Sequence, residues 1–246
     1  PYMRVTVVVV GKELLIARLV LVVELLSDTI SQLVDELVGM LNNSSLDPGT
    51  EVVCAPPALY VQGVARSLRP DVGVASQDVW TQGNGAWTGE TSADMLADME
   101  GVNWTLVGHS ERRAKGETDP ECGAKAAYAV EKGLSVIACI GETLAQREGG
   151  EMEGVLAAQM AAYHESLKGD WSKVVVAYEP VWAIGTGVTA SPEQAQDAHA
   201  FLRAWMGEHA GSDAADATRI IYGGSVTGAT APDLSGKADV DGFLVG

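Results

Sequence analysis

Three short stretches of the chain place reactive groups where strand-like runs end. In Ala177-Tyr178-Glu179-Pro180-Val181-Trp182-Ala183-Ile184-Gly185-Thr186-Gly187 a carboxylate closes an apolar run, and a glycine-bearing loop with an apolar middle follows. A carboxylate so placed can take a proton from carbon, and such a loop can close over it and exclude water. The plainer alternative is a surface glutamate ahead of an ordinary loop. In Val107-Gly108-His109-Ser110-Glu111-Arg112-Arg113 a histidine stands just before a helical segment. A helix N-terminus disfavours imidazolium, so His109 can stay a neutral hydrogen-bond donor. A lone histidine is more often structural, but Glu179 at a second strand end changes that balance. In Tyr222-Gly223-Gly224-Ser225-Val226 two glycines let backbone N–H groups approach an anion closely, with a tight turn as the alternative.

A fourth stretch, Gly83-Asn84-Gly85-Ala86-Trp87-Thr88-Gly89-Glu90, is a long glycine-rich loop carrying a tryptophan. Exposing that ring has little justification in a monomer, so a protein contact is expected.

These groups need elements to hold them. Apolar runs without polar alternation stand at Leu19–Val23, Glu51–Ala55, Val72–Ser76, Trp104–Gly108, Leu134–Ile140, Val174–Ala177, Arg219–Tyr222 and Asp241–Val245. Such runs suit parallel strands covered on both faces. Helical signals lie between them: Ile30, Leu33, Val34, Leu37, Val38 and Leu41 trace one face. Asp119-Pro120 and Ser191-Pro192 read as capped helix starts. Repeated βα units without a linker point to one barrel or one doubly wound sheet.

The 246 residues and an apolar share of 47% can fill one sizeable core. A formal charge of -17 argues against nucleic acid and anionic membrane as partners, since both call for basic patches. Charged residues interrupt the apolar stretch from Val5 to Leu26, which reads as strand plus partly buried helix rather than a membrane span. Cys54, Cys122 and Cys139 lack metal-ligand spacing and read as buried reduced thiols in a reducing compartment.

Together these segments resemble triosephosphate isomerase from about Thr29 to Gly246, most specifically over Ala177–Gly187. The resemblance implies a single-domain (β/α)8 TIM barrel. It also implies interconversion of dihydroxyacetone phosphate and D-glyceraldehyde 3-phosphate through an enediolate, a step of glycolysis and gluconeogenesis. It implies no metal and no cofactor, a phosphorylated triose as the small-molecule partner, and a cytoplasmic homodimer, with a plastid form as the variant setting. By the same resemblance Glu179 is the base and His109 the neutral electrophile, supported by Ser110 and Glu111. Gly185, Ser225 and Gly246 present N–H groups to the phosphate, and Ile184 and Leu244 cover the base. Thr88 and Glu90 belong to a dimer loop, with Glu90 pairing to a neighbour's Arg112.

Two places depart from the family pattern. The family's first strand ends in an Asn-aromatic-Lys segment whose lysine meets the substrate. Counting back from Pro56-Pro57 puts Leu19–Asp28 there, with Glu24 for the asparagine and Leu26 for the lysine. Placing Val5–Val10 as the strand instead makes Lys12 the substitute lysine, with a large insertion before the first helix. Residues 1–26 are therefore expected to be a divergent, foreign segment holding a possible first strand, and 27–246 the barrel. The sequence stops at Gly246, ahead of the family's second phosphate glycine and last helix, so a barrel with its final helix truncated is expected. Val188 stands where the lid often carries a lysine. Impaired turnover follows, with a catalytically inactive barrel that binds or dimerises as the rival. Another phosphate-binding barrel isomerase is a weaker rival, opposed by the Glu179 segment.

Overall fold

Runs such as Val174-Val175-Val176 lack polar alternation because both faces are covered, and the covering layers are plain in the computed structural model. It describes residues 6–10 (as backbone), 30–184 and 190–245. The order begins with β1 (Thr6–Val10), α1 (Ile30–Asn43), β2 (Glu51–Ala55), α2 (Val61–Ser67), β3 (Val72–Ser76) and α3 (Ala93–Ala97). It continues with β4 (Val102–Val107), α4 (Ser110–Arg113), α5 (Asp119–Glu131), β5 (Ser135–Ile140), α6 (Leu144–Glu148) and α7 (Met152–Leu167). It closes with β6 (Val174–Tyr178), α8 (Pro192–His209), α9 (Ser212–Ala217), β7 (Ile220–Tyr222), α10 (Ala231–Ser235) and β8 (Gly242–Val245).

The eight strands form a closed barrel in chain order. From β2 to β8 each strand runs parallel to the next. Inward-facing Val53, Trp104, Leu106, Ile137, Val175 and Ile221 fill the interior as one buried cluster. A second cluster lies between strands and helices, where Leu156 and Met160 of α7 and Leu202 of α8 are fully buried. Each such side chain contributes about 1.5–3 kcal/mol on leaving water.

Seven of the eight expected strands are present within a residue or two of their expected bounds. On α1 the expected face is correct: Val34, Val38 and Leu41 are buried, although Ile30 at its start is 49% exposed. Helix α8 starts at Ser191 as N-cap with Pro192 in the first turn. Helix α5 is capped by Thr118, one residue before the expected Asp119, because Glu121 accepts from the Thr118 N–H and hydroxyl in a capping box.

The first strand is the departure. The expected run Leu19–Val23 lies outside the described residues, as do Lys12, Glu24 and Leu26. The strand that closes the barrel is Thr6–Val10, and it runs antiparallel to both neighbours. Thr6 stands opposite Ala55, and Val10 opposite Glu51 and Gly242. Thr-Val-Val-Val-Val reads nearly the same in either direction, so the sequence pattern selects neither. The amino end of β1 therefore lies level with the carboxyl ends of the other seven strands.

Candidate functional site

The loops after β4, β6 and β7 bring the sequence-predicted groups together at one end of the barrel. Glu179 follows β6 directly and is only 2% exposed. Its N–H donates to the Ile140 carbonyl at 2.7 Å, and its backbone packs on Gly141, where any side chain would collide with the Glu179 carbonyl. On the neighbouring strand end, after β7, Gly223 donates to the Tyr178 carbonyl at 2.7 Å, and a Cβ on Gly223 would sit 2.9 Å from Glu179 Cγ. Both glycines are thus required by close approach to the carboxylate's own residue.

His109 stands two residues beyond the end of β4, after Gly108 with φ of 72°. It caps α4, its Nδ1 accepting the Glu111 N–H at 3.2 Å. That assigns the proton of a neutral ring to Nε2, which lies 3.0 Å from Glu179 Oε1. The other carboxylate oxygen, Oε2, accepts the Ser110 N–H at 3.1 Å. The His109 contact lacks hydrogen-bond geometry, so Oε1 is a buried carboxylate oxygen with no hydrogen-bond partner among the described residues. Such an orphan is costly unless a ligand completes it.

Glu179 and His109 line a cavity of about 1030 Å³, with Ile184 and Leu244 as apolar wall and Ser225 on the β7 loop. Ser225 Oγ donates to the Ala183 carbonyl at 2.6 Å, joining that loop to the segment after Glu179. A Cβ on Gly224 would strike the Tyr222 ring, so the second glycine of the pair is also obligatory. Gly185, Val188 and Gly246 lie outside the described residues.

One buried acid escaped the sequence reading. Glu142, after β5, is fully buried, and its Oε1 accepts from Tyr178 Oη at 3.0 Å, Trp182 Nε1 at 2.9 Å and Arg147 at 3.0 Å. It pins the segment that carries Glu179. The only sequence signal was a carboxylate at a strand end in Ile140-Gly141-Glu142, the same signal that singled out Glu179.

The 83–90 loop is described throughout: Thr88 and Glu90 are exposed, and Trp87 is 41% exposed with its ring 5.7 Å from that of Trp80. Arg112 lies 2.9 Å from Asp78 and 3.5 Å from Glu117 within its own chain, while its Nε is buried without a partner among the described residues. The three cysteines are free and buried, and burial pushes Cys54 up to about 12 and Cys122 up to about 11. Among the described residues no helix is long and apolar enough to cross a membrane, and no group of three or more His, Cys, Asp or Glu could hold a metal ion.

A family model described as triosephosphate isomerase matches residues 26–246. Among curated proteins, "Triosephosphate isomerase, cytosolic" of Oryza sativa subsp. japonica is 51% identical over 216 residues, spanning 87% of this chain and 85% of its own length.

Proposed function

The chain belongs to the triosephosphate isomerase family, and we propose on that footing that it interconverts dihydroxyacetone phosphate and D-glyceraldehyde 3-phosphate with Glu179 as base and His109 as electrophile. The observation that carries this reading is the pairing of a buried carboxylate with a half-buried imidazole. Glu179 Oε1 and His109 Nε2 stand 3.0 Å apart on different strand ends, facing one cavity, with Oε1 otherwise unpartnered.

A triose phosphate entering between them would give each group its task. Glu179 leaves the Ser110 N–H, removes a proton from the carbon beside the carbonyl, and returns it to the neighbouring carbon. The C–H electron pair becomes the C=C bond of the enediolate as the carbonyl pair moves onto oxygen; His109 Nε2–H donates to that oxygen and takes up the neighbouring hydroxyl proton in exchange as the second carbonyl forms. The family is itself the standard worked case of a glutamate base beside a neutral imidazole. Ile184 and Leu244 keep water from the carboxylate. The Ser225 N–H holds the phosphate, with Gly185 and Gly246 as further donors and Ser110 supporting the base. An acidic chain binds a phosphodianion in this way because local N–H dipoles, not net charge, line the pocket.

We place turnover below that of a family member that keeps the Asn-aromatic-Lys segment. β1 presents Thr6, not Val10, at the catalytic end. Val10 therefore lies about 13 Å away at the far end of the barrel, and the sequence has Leu26 where the family pattern has its lysine. Losing one preorganised donor to the phosphate costs roughly a hundred- to thousand-fold in rate. The reversed strand also favours a second reading, a barrel that binds triose phosphate without turning it over.

A coupled assay on the purified chain tests both, beside Lys12→Ala and a Leu26→Lys, Glu24→Asn double variant. Slow turnover that Lys12→Ala leaves unchanged is the expected result. Near-normal turnover that collapses in Lys12→Ala would refute the impairment and bring Lys12 to the site. Undetectable turnover with retained calorimetric binding of dihydroxyacetone phosphate would establish the second reading.

The exposed Trp87 and Leu59, the latter 93% exposed, and the unpartnered Arg112 Nε support a homodimer in which Glu90 of the loop meets the neighbour's Arg112. The cytosolic rice relative supports a cytoplasmic setting.

A further inference from the structure

Two side chains that do not line the cavity grip the backbone that carries His109. Tyr163 on α7 is 1% exposed, and its hydroxyl lies 3.1 Å from the Val107 carbonyl and 3.2 Å from the Cys139 carbonyl. Arg113 sits beside it, its Nε donating to the Gly108 carbonyl at 2.8 Å and an NH2 group to the Cys139 carbonyl at 3.3 Å. The guanidinium is held in turn by Asp119. Val107 ends β4 and Gly108 precedes His109, while Cys139 lies in β5 next to Ile140, whose carbonyl anchors Glu179.

The clamp therefore joins the two backbones that set the base–imidazole distance. Gly108 shows how closely it fits: at φ 72° a side chain there would collide with the Tyr163 hydroxyl and reach within 3.0 Å of Cys122 Sγ. A phenylalanine or an aliphatic residue at 163 would fill the same space but offer these carbonyls nothing. Burial pushes the Tyr163 phenol well above its ordinary value, so it remains a proton donor across the working range of pH.

We infer that Tyr163, with Arg113, is a positioning residue for the isomerase site: its hydroxyl sets the height of the His109 imidazole against Glu179. The inference rests on the reading of His109 as the electrophile, so its test needs one measurement that does not require turnover.

The test variant is Tyr163→Phe, which removes the hydroxyl and keeps the ring. Trp171→Phe serves as the control, because it removes another largely buried donor, the Trp171 Nε1–H to His164, away from the clamp. The chain is labelled with 15N-histidine, the His109 imidazole signals are assigned by their loss in His109→Gln, and steady-state kinetics are run on the same preparations. The expected result is a His109 spectrum that shifts from one Nε2–H tautomer toward averaging in Tyr163→Phe but not in Trp171→Phe. A misplacement of about 1 Å costs up to roughly a hundredfold, so kcat is expected to fall by about tenfold or more with KM within about twofold. Arg113→Lys, which keeps the charge but loses the fork, is expected to lower kcat alike, and the two changes together to cost less than their product. An unchanged His109 spectrum with unchanged kcat in Tyr163→Phe, beside a lowered Tm, would overturn the inference and leave Tyr163 a packing residue. A wild-type chain without turnover would overturn the isomerase reading alone, since the imidazole spectra still decide the clamp.

Discussion

Replacing Gly141 by alanine is expected to cripple the chemistry while leaving the barrel folded. Gly141 is held from both sides. On one side Gln159 of α7 accepts its N–H at 2.8 Å and donates to its carbonyl at 3.2 Å. On the other lies the backbone of Glu179, anchored by its own N–H to Ile140. A methyl group on Gly141 would fall far inside contact distance of the Glu179 carbonyl oxygen, which is backbone and cannot swing aside as a side chain can. One of the two must move by more than about 1 Å to reach an ordinary contact, and two hydrogen bonds to Gln159 resist movement of Gly141. The displacement then falls on Glu179, where about 1 Å is worth up to a hundredfold in rate. Overpacking of this kind also costs about 1–3 kcal/mol in stability. Steady-state assay and urea unfolding of Gly141→Ala measure the two effects separately. Adding Gln159→Ala should restore part of the rate, because Gly141 can then retreat into the space vacated. A single variant with kcat within about twofold of the parent would refute the reasoning, showing that the β5 loop yields instead of the base.

Stability should fall as pH drops from 6.5 toward 4, because burial holds His199 down at about 4 while the unfolded chain takes up that proton near 6.5. The loss is roughly 3 kcal/mol at about 1.4 kcal/mol per tenfold change in proton affinity, and urea unfolding of His199→Gln across that window should show a flatter profile. Lys125 is 3% exposed between Asp78 and Glu117, so Lys125→Met should cost about 3 kcal/mol in urea unfolding. The cost should lie at the low end of the range for broken buried pairs, since Arg112 also reaches both acids. Sedimentation should show a dimer at micromolar concentration, converted to monomer by deletion of residues 83–90, and a monomer unchanged by the deletion would remove the proposed subunit contact.

What the sequence made legible depended on how local the cause was. Strands β2 to β8 could be read because burial on both faces demands uninterrupted apolar runs, and Val174-Val175-Val176 satisfies that demand alone. The start of α8 could be read because Ser191, Pro192 and Gln194 act within one turn. The same reasoning missed α5 by one residue, where two adjacent residues could cap and Glu121 decided for Thr118. Tyr163 was beyond reach: its partners Val107 and Cys139 lie 56 and 24 residues away, and a tyrosine within a helix carries no mark of them. Gly141 was equally silent, since its need for a bare Cα comes from Glu179 and Gln159. The direction of β1 was unreadable for a different reason, because a run that reads nearly the same from either end carries no sense of direction.

That strand has a consequence beyond catalysis. A barrel is protected from neighbours only while it is closed, and among the described residues β2 and β8 are joined through the five residues of β1. Hydrogen bonds in an antiparallel ladder satisfy both flanking strands as fully as a parallel strand would. Without Thr6–Val10, β2 and β8 would each offer a row of unpaired N–H and C=O groups, the template on which sheets from separate chains join. The reversed strand thus acts as a cap on two sticky edges. Removing it should convert a discrete protein into one that self-associates through its backbone, whatever becomes of Glu179 and His109.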